Sequence, residues 1–95
     1  MKIDELEGLP GADLVEKGLA DISNARVTEH ALLLQVAGPR LRALGLEVPA
    51  VQVRLPFEHR LYELLEEKCG VDAHSQYNAL IRRIVSFARA LESRQ

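Results

Sequence analysis

Cysteine is nearly absent from this sequence of 95 residues, in which Cys69 is the only one. A single thiol excludes an internal disulfide and a zinc site built from several cysteines. It is typical of proteins from a reducing compartment, where disulfides do not persist. Residues 1–5 are acidic overall and hold no apolar run, so we expect no secretory signal and predict a cytoplasmic protein.

Aromatic residues and long hydrophobic runs are also scarce. The chain has two Tyr, two Phe and no Trp, so its core must be built mainly from Leu, Val, Ile and Ala, which favours helices packed on helices. The longest apolar run, residues 31–34, is far shorter than the roughly 20 residues that span a bilayer. We therefore expect no membrane segment.

An excess of positive charge is missing as well. The net charge of −2 gives no general attraction to nucleic acids or anionic membranes, which argues against both as partners. The sign of the charge alternates along the chain, because residues 1–21 and 57–70 are acidic whereas residues 22–56 and 71–95 are basic. This alternation is typical of neighbouring helices whose edges pair.

The clearest pattern that is present is an amphipathic helix over residues 72–94. At about 100° per residue, its apolar side chains fall within an arc of roughly 160°. They are Tyr77, Leu80, Ile81, Ile84, Val85, Phe87, Ala88 and Leu91. The opposite face carries Asn78, Arg82, Arg83, Ser86, Arg89, Ser93 and Arg94. A stripe this wide is typical of a helix that packs against two neighbours in an all-α core.

Two helices are predicted in the first half of the chain. The first runs over residues 10–24, with Asn24 as a left-handed C-cap, and Gly18 within it indicates the close approach of another helix. The second begins at the N-cap Thr28. We expect Gly38 and Pro39 to end it, because glycine favours a C-cap and proline cannot continue a helix.

The rest of the helices follow from similar signals. Pro39 can open a short helix over residues 40–44. A further helix is predicted over residues 57–69, with Gly70 as its C-cap and Asp72 as the N-cap of the last helix.

These elements predict a single all-α domain over residues 1–95, a compact bundle of four longer helices and one short helix with an extended connector over residues 46–56. In that connector Val51, Val53 and Leu55 alternate with polar residues, as in a strand. The sequence offers no second strand to pair with it, so the alternative is pairing with its own copy in a dimer.

Histidine raises the question of a metal site. His30, His59 and His74 lie near the starts of three different helices, and no two have the spacing that places two ligands on one helical face. Nothing matches a nucleotide-binding loop or a nucleophile motif either. We expect neither a metal nor a cofactor.

One short arrangement suggests an enzyme. Arg54 is followed after four residues by His59, which is similar to the short motif of HEPN-type helical ribonucleases. The resemblance implies that His59 would act as general acid and base and that Arg54 would hold a phosphate, without a metal. Such roles suit a side chain that titrates near neutrality and one that binds phosphate in a bidentate manner. The alternative to a purely binding role is therefore a metal-independent ribonuclease or nucleotide-processing subunit that uses Arg54 and His59.

The arginines of the last helix suggest that binding role. Arg82, Arg83, Arg89 and Arg94 flank the small residues Ala79, Ser86 and Ala90 at the centre of its polar face. One interpretation is a solvated face whose arginines pair with Glu63, Glu66 and Glu67. The other is a shallow surface at which a second helix packs closely while the arginines bind its acidic residues. We predict a protein-interaction module, a homodimer or the small subunit of a complex, that binds through Arg82, Arg83, Ser86, Arg89 and Ala90. A nucleic-acid-binding accessory protein is the last alternative.

Overall fold

A computed structural model describes Leu6, residues 8–51 and residues 56–94. The described chain is all-α, as predicted, and contains no β-strand. Its helices are α1 (Ala12–Ser23), α2 (Glu29–Ala43), α3 (Phe57–Cys69) and α4 (Ala73–Ser93), and a 3-10 turn (Gly70–Asp72) joins the last two. The radius of gyration, 12.8 Å, is close to the value of about 12 Å expected for a compact chain of this length.

Helix α2 lies at the centre of the fold, and α1, α3 and α4 all pack against it. Four consecutive side chains, residues 31–34, have no accessible surface, and Gln35 is 4% exposed. Successive residues on a helix point about 100° apart, so four in a row are buried only when neighbours surround the helix. The amide of Gln35 is satisfied because it donates a hydrogen bond of 2.6 Å to the carbonyl of Pro49.

The predicted break at Gly38 and Pro39 is wrong. Helix α2 continues through Pro39 to Ala43, so residues 40–44 do not form a separate short helix. An internal proline removes one hydrogen bond and costs about 3 kcal/mol. Because the helix continues, Leu41 is fully buried. The burial of this side chain contributes about 2 kcal/mol, which offsets part of the cost of the proline. Gly45 then ends the helix with a positive φ of 95°.

Helix α1 packs closely against α2 at Gly18, as predicted. A Cβ atom at this position would lie 2.7 Å from Cδ1 of Leu34 and 2.8 Å from the backbone oxygen of His30. Both distances are too short for any side chain, so only glycine lets the two backbones come this near.

The turn after α1 differs from the prediction in one residue. Asn24 is the C-cap, but its φ of −95° is not left-handed. The left-handed residue is Ala25, with a φ of 56°. Its N–H bonds to the carbonyl of Ile22, and the N–H of Arg26 bonds to the carbonyl of Asp21. These two bonds satisfy the end of the helix, although alanine at a left-handed position costs roughly 1–2 kcal/mol.

A buried carboxylate joins the end of α1 to the start of α2. Asp21 is 1% exposed, and its two oxygens accept hydrogen bonds of 2.6 Å each, one from Lys17 Nζ and one from the hydroxyl of Thr28. Thr28 is the N-cap of α2, as predicted, since its Oγ1 accepts from the N–H of Ala31 at 3.2 Å. The hydrogen bonds from Lys17 and Thr28 hold the pKa of Asp21 below its usual value.

Helices α3 and α4 begin and end close to where the sequence places them. Helix α3 buries Leu61 and Leu65, and Gly70 is its C-cap. Helix α4 is continuous over 21 residues and buries Ala73, Ile84, Phe87, Ala88 and Leu91. Asp72 occupies the N-cap position of α4, but its side chain makes no capping hydrogen bond. That capping prediction is therefore wrong, because the 3-10 turn holds Asp72 in a helical conformation.

The segment after α2 lies over the helices without forming helix or strand through residue 51. Leu46 and Val48 are buried, and Nε and Nη2 of Arg42 donate to the carbonyl of Val48 at 3.0 and 2.8 Å. The strand-like alternation depends on Val53 and Leu55, which lie outside the described residues.

Asp21→Asn is expected to lower the free energy of unfolding at neutral pH by about 2 kcal/mol, because the neutral amide has a single acceptor oxygen and can keep at most one of the two hydrogen bonds. The pKa of Asp21 is lowered in the folded state. The carboxylate therefore stabilises the fold fully above its unfolded pKa of about 3.9, and the effect is lost as the pH falls through the folded value.

Urea unfolding between about pH 7 and about pH 2 measures this difference. The wild type and the variant should converge toward the acid end. Glu16→Gln, which changes an exposed carboxylate on the same helix, is the control and should stay within about 0.5 kcal/mol of wild type. A constant gap between wild type and Asp21→Asn at every pH contradicts the assignment.

Candidate functional site

The outer face of α4, defined by Arg82, Arg83, Ser86, Arg89 and Ala90, is the site that the sequence singles out. All three arginines and Ser86 are exposed, and Ala90 is half-buried. These side chains share one face because α4 is an unbroken helix whose apolar stripe is fixed against the core. The structure thus brings the five residues together on one surface.

Arg83 is held by an ion pair within the chain. Its Nη2 donates to Oδ1 and Oδ2 of Asp13 on α1, at 2.8 and 3.0 Å. The hydrogen bond from Arg83 lowers the pKa of Asp13. Both side chains are exposed to solvent, Arg83 by 46% and Asp13 by 77%, and such pairs stabilise a fold by at most about 1 kcal/mol.

This pairing corrects one sequence-based interpretation. One interpretation of the sequence pairs the arginines of α4 with Glu63, Glu66 and Glu67 on the preceding helix, but Arg83 pairs with Asp13 on α1 instead. It does so because it lies on the edge of α4 nearest the start of α1, where a Cβ on Gly11 would come within 3.1 Å of the Arg83 carbonyl oxygen. Glu63 is engaged within α3, with Arg60 at 3.1 Å and His59 at 2.9 Å.

Arg82 and Arg89 lie on the other edge of the outer face, and neither forms an ion pair with any described residue. They are seven residues apart, which is two helical turns or about 10 Å along the axis. The small side chains of Ala79, Ser86 and Ala90 lie beside them. The surface therefore presents two cations next to a strip where another backbone can come close.

Two residues of this region were missed by the sequence reasoning. Arg40 on α2 reaches α4, where its Nη2 is 3.1 Å from Oε2 of Glu92. The pair was missed because the predicted break at Pro39 detached Arg40 from α2. The signal that could have revealed this pair is Leu41. Its burial favours continuation of α2 past Pro39, and a continuous helix sets the direction in which Arg40 projects.

His59 lies in the first turn of α3 with 72% of its side chain exposed, and its Nε2 is 2.9 Å from Oε1 of Glu63. Arg54 lies outside the described residues. The ribonuclease interpretation of Arg54 and His59 therefore stays a prediction.

The described residues hold no group of three or more His, Cys, Asp or Glu side chains that could bind a metal ion. The imidazole of His74 is 3.1 Å from the amide nitrogen of Asn78. Cys69 is a half-buried free thiol. Within the described part of the chain, no helix has the length and apolar content needed to cross a membrane.

No protein-family model matches this chain, and comparisons with curated proteins and with solved structures find no significant match either.

Arg83→Gln is expected to raise the pKa of Asp13 toward its ordinary value of about 3.9, because the hydrogen bond that favours the carboxylate is lost. Carboxyl NMR chemical shifts followed through a pH titration measure this pKa. Arg82→Gln is the matched control, and it should leave Asp13 unchanged. A shift of equal size in both variants would show that general surface charge, and not the pairing, sets the pKa.

Proposed function

We propose that this chain is a helical protein-interaction module that binds its partner through the outer face of α4. The partner is a second copy of the chain or a larger protein of which this chain is the small subunit. The proposed setting is the cytoplasm, and the proposed role is binding without catalysis.

The observation that carries the proposal is the state of Arg82 and Arg89. Both are exposed and have no ionic partner in the described part of the chain, while Arg83 beside them is paired. Guanidinium groups bind carboxylates through two parallel hydrogen bonds, and arginine is enriched at protein interfaces. Two such groups two turns apart suit a partner that carries acidic side chains at a similar spacing.

The small residues support the same proposal. Serine at position 86 and alanine at position 90 add little bulk to the helix surface, so a partner backbone can approach closely. Close approach increases dispersion contacts and costs little side-chain entropy, because neither side chain has much freedom to lose.

Nucleic acid is less well supported as a partner. The face offers no aromatic side chain for stacking on a base, and one of its arginines is already paired with Asp13. The whole chain is also negatively charged, so electrostatic attraction to phosphates would be confined to this surface.

Ala90→Glu is expected to abolish the interaction, because it places bulk and charge in the strip where the partner approaches. Light scattering on the purified chain tests for a dimer, and pull-down from the native host tests for a larger complex. The matched control is Ala20→Glu, which makes the same change at an exposed position on α1.

Thermal melting of both variants should match wild type, which separates loss of binding from loss of folding. A complex that persists unchanged in Ala90→Glu contradicts the proposal. So does a chain that is monomeric in solution and retrieves no partner that depends on Ala90.

A further inference from the structure

A shallow apolar groove runs between α2 and α4 at the edge of the outer face. Its volume is about 220 Å³, and it is lined by Val36, Ala37, Arg40, Ile81, Ile84, Val85 and Ala88. We call it the α2–α4 groove. Four of its apolar side chains, at positions 36, 37, 81 and 85, are only half-buried. Further burial of these groups would be favourable, at roughly 25 cal/mol for each Å² of apolar surface removed from water.

The rim of the α2–α4 groove is positively charged. Arg82 and Arg89 are three and four residues from Val85, so they flank it on the surface of α4. Arg40 lines the groove from the α2 side and pairs with Glu92 of α4. The rim therefore has three guanidinium groups and one carboxylate, which leaves a surplus of positive charge.

The shape of the groove suits a helix. From Ile81 to Ala88 its α4 wall extends two turns, or about 10 Å. An amphipathic helix with apolar residues at positions i, i+3 or i+4, and i+7 presents a stripe of this length to a groove between two helices. Side chains next to that stripe would lie at the rim, within reach of the arginines.

A second copy of this chain is a poor occupant on grounds of charge. If two copies met with antiparallel α4 helices about a two-fold axis near Val85, Arg82 of one copy would lie opposite Arg89 of the other. If the helices were parallel, each arginine would lie opposite the same arginine of the second copy. Like charges that meet in an interface oppose association. In the antiparallel case Glu92 would face Ala79, so it would not relieve the repulsion.

We propose that the α2–α4 groove binds an amphipathic helix of another protein whose apolar stripe is flanked by aspartate or glutamate. This inference rests on the proposed binding role of α4 and narrows it to one class of partner. The apolar stripe fills the space between Val36, Ile81 and Val85. The flanking carboxylates pair with Arg82 and Arg89.

Designed helical peptides of about 16 residues, enough for four turns, test the proposal. The first peptide has leucines at positions i, i+3 or i+4, and i+7, with glutamates beside them. The second peptide has lysines in place of those glutamates. The third peptide keeps the glutamates and has serines in place of the leucines. Each is titrated into the full chain labelled with ¹⁵N, and amide shifts report both the site and the affinity.

The glutamate–leucine peptide is expected to shift residues 36–37 and 81–88 and to bind at least about tenfold more tightly than the other two peptides. The double variant Arg82→Glu/Arg89→Glu should reverse the preference between glutamate and lysine. Both arginines are exposed, so this variant should melt like wild type.

Equal affinity for the glutamate and lysine peptides would overturn the proposal. Shifts confined to another surface, no binding at millimolar peptide, or serine-peptide affinity equal to that of the leucine peptide would do the same. If residues 36–37 and 81–88 instead shift when the chain alone is diluted, the occupant is a second copy. A dimer that depends on Ala90, together with no peptide binding, would overturn this inference and leave the proposed function standing.

Discussion

The enclosure of α2 is the constraint on which the rest of the structure depends. Residues 31–34 have no contact with solvent, so they cannot be covered by a single neighbour. Helices α1, α3 and α4 all pack against α2. The close contact at Gly18 and the hydrogen bonds of Asp21 hold α1 against α2, and α4 also packs against α2.

The position of α4 explains why its two edges differ. The edge nearest α1 carries Arg83, which forms an ion pair with Asp13 of α1. The edge nearest α2 carries Arg82 and Arg89, which form no ion pair with any described residue. The α2–α4 groove lies beside them. The positive charge of α4 is therefore neutralised by an ion pair on the edge nearest α1 and left unpaired on the edge nearest α2. The proposed binding role and the proposed helical partner both depend on the unpaired arginines.

The sequence predicted α4 well because its stripe is one-sided, and a one-sided stripe repeats clearly with the helical period. It also located α3 and the cap at Thr28, since both have local signals. The prediction was wrong at Pro39, where the burial of Leu41 outweighs the tendency of proline to end a helix. It was also wrong about the left-handed residue after α1, which is Ala25 although asparagine adopts that conformation more readily than alanine. Tertiary packing decides both positions.

The candidate site could be predicted only in part. The exposure of Arg82, Ser86 and Arg89 follows from the helical period alone. The pairing of Arg83 with Asp13 joins residues 70 positions apart, and the groove needs α2 to continue beyond Pro39. Neither could be inferred without the arrangement of α1, α2 and α4 in space.

Amide hydrogen exchange on the intact chain tests the enclosure of α2 most directly. If the other helices enclose the stretch of α2 from residue 31 to residue 35, the amides of residues 33–35, beyond the first turn of the helix, can exchange only when the whole chain unfolds. Their free energy of opening should then equal the free energy of unfolding measured with denaturant, and no other segment should exceed it. Exchange of these amides through a lower-energy opening than that of α1, α3 or α4 would contradict the account.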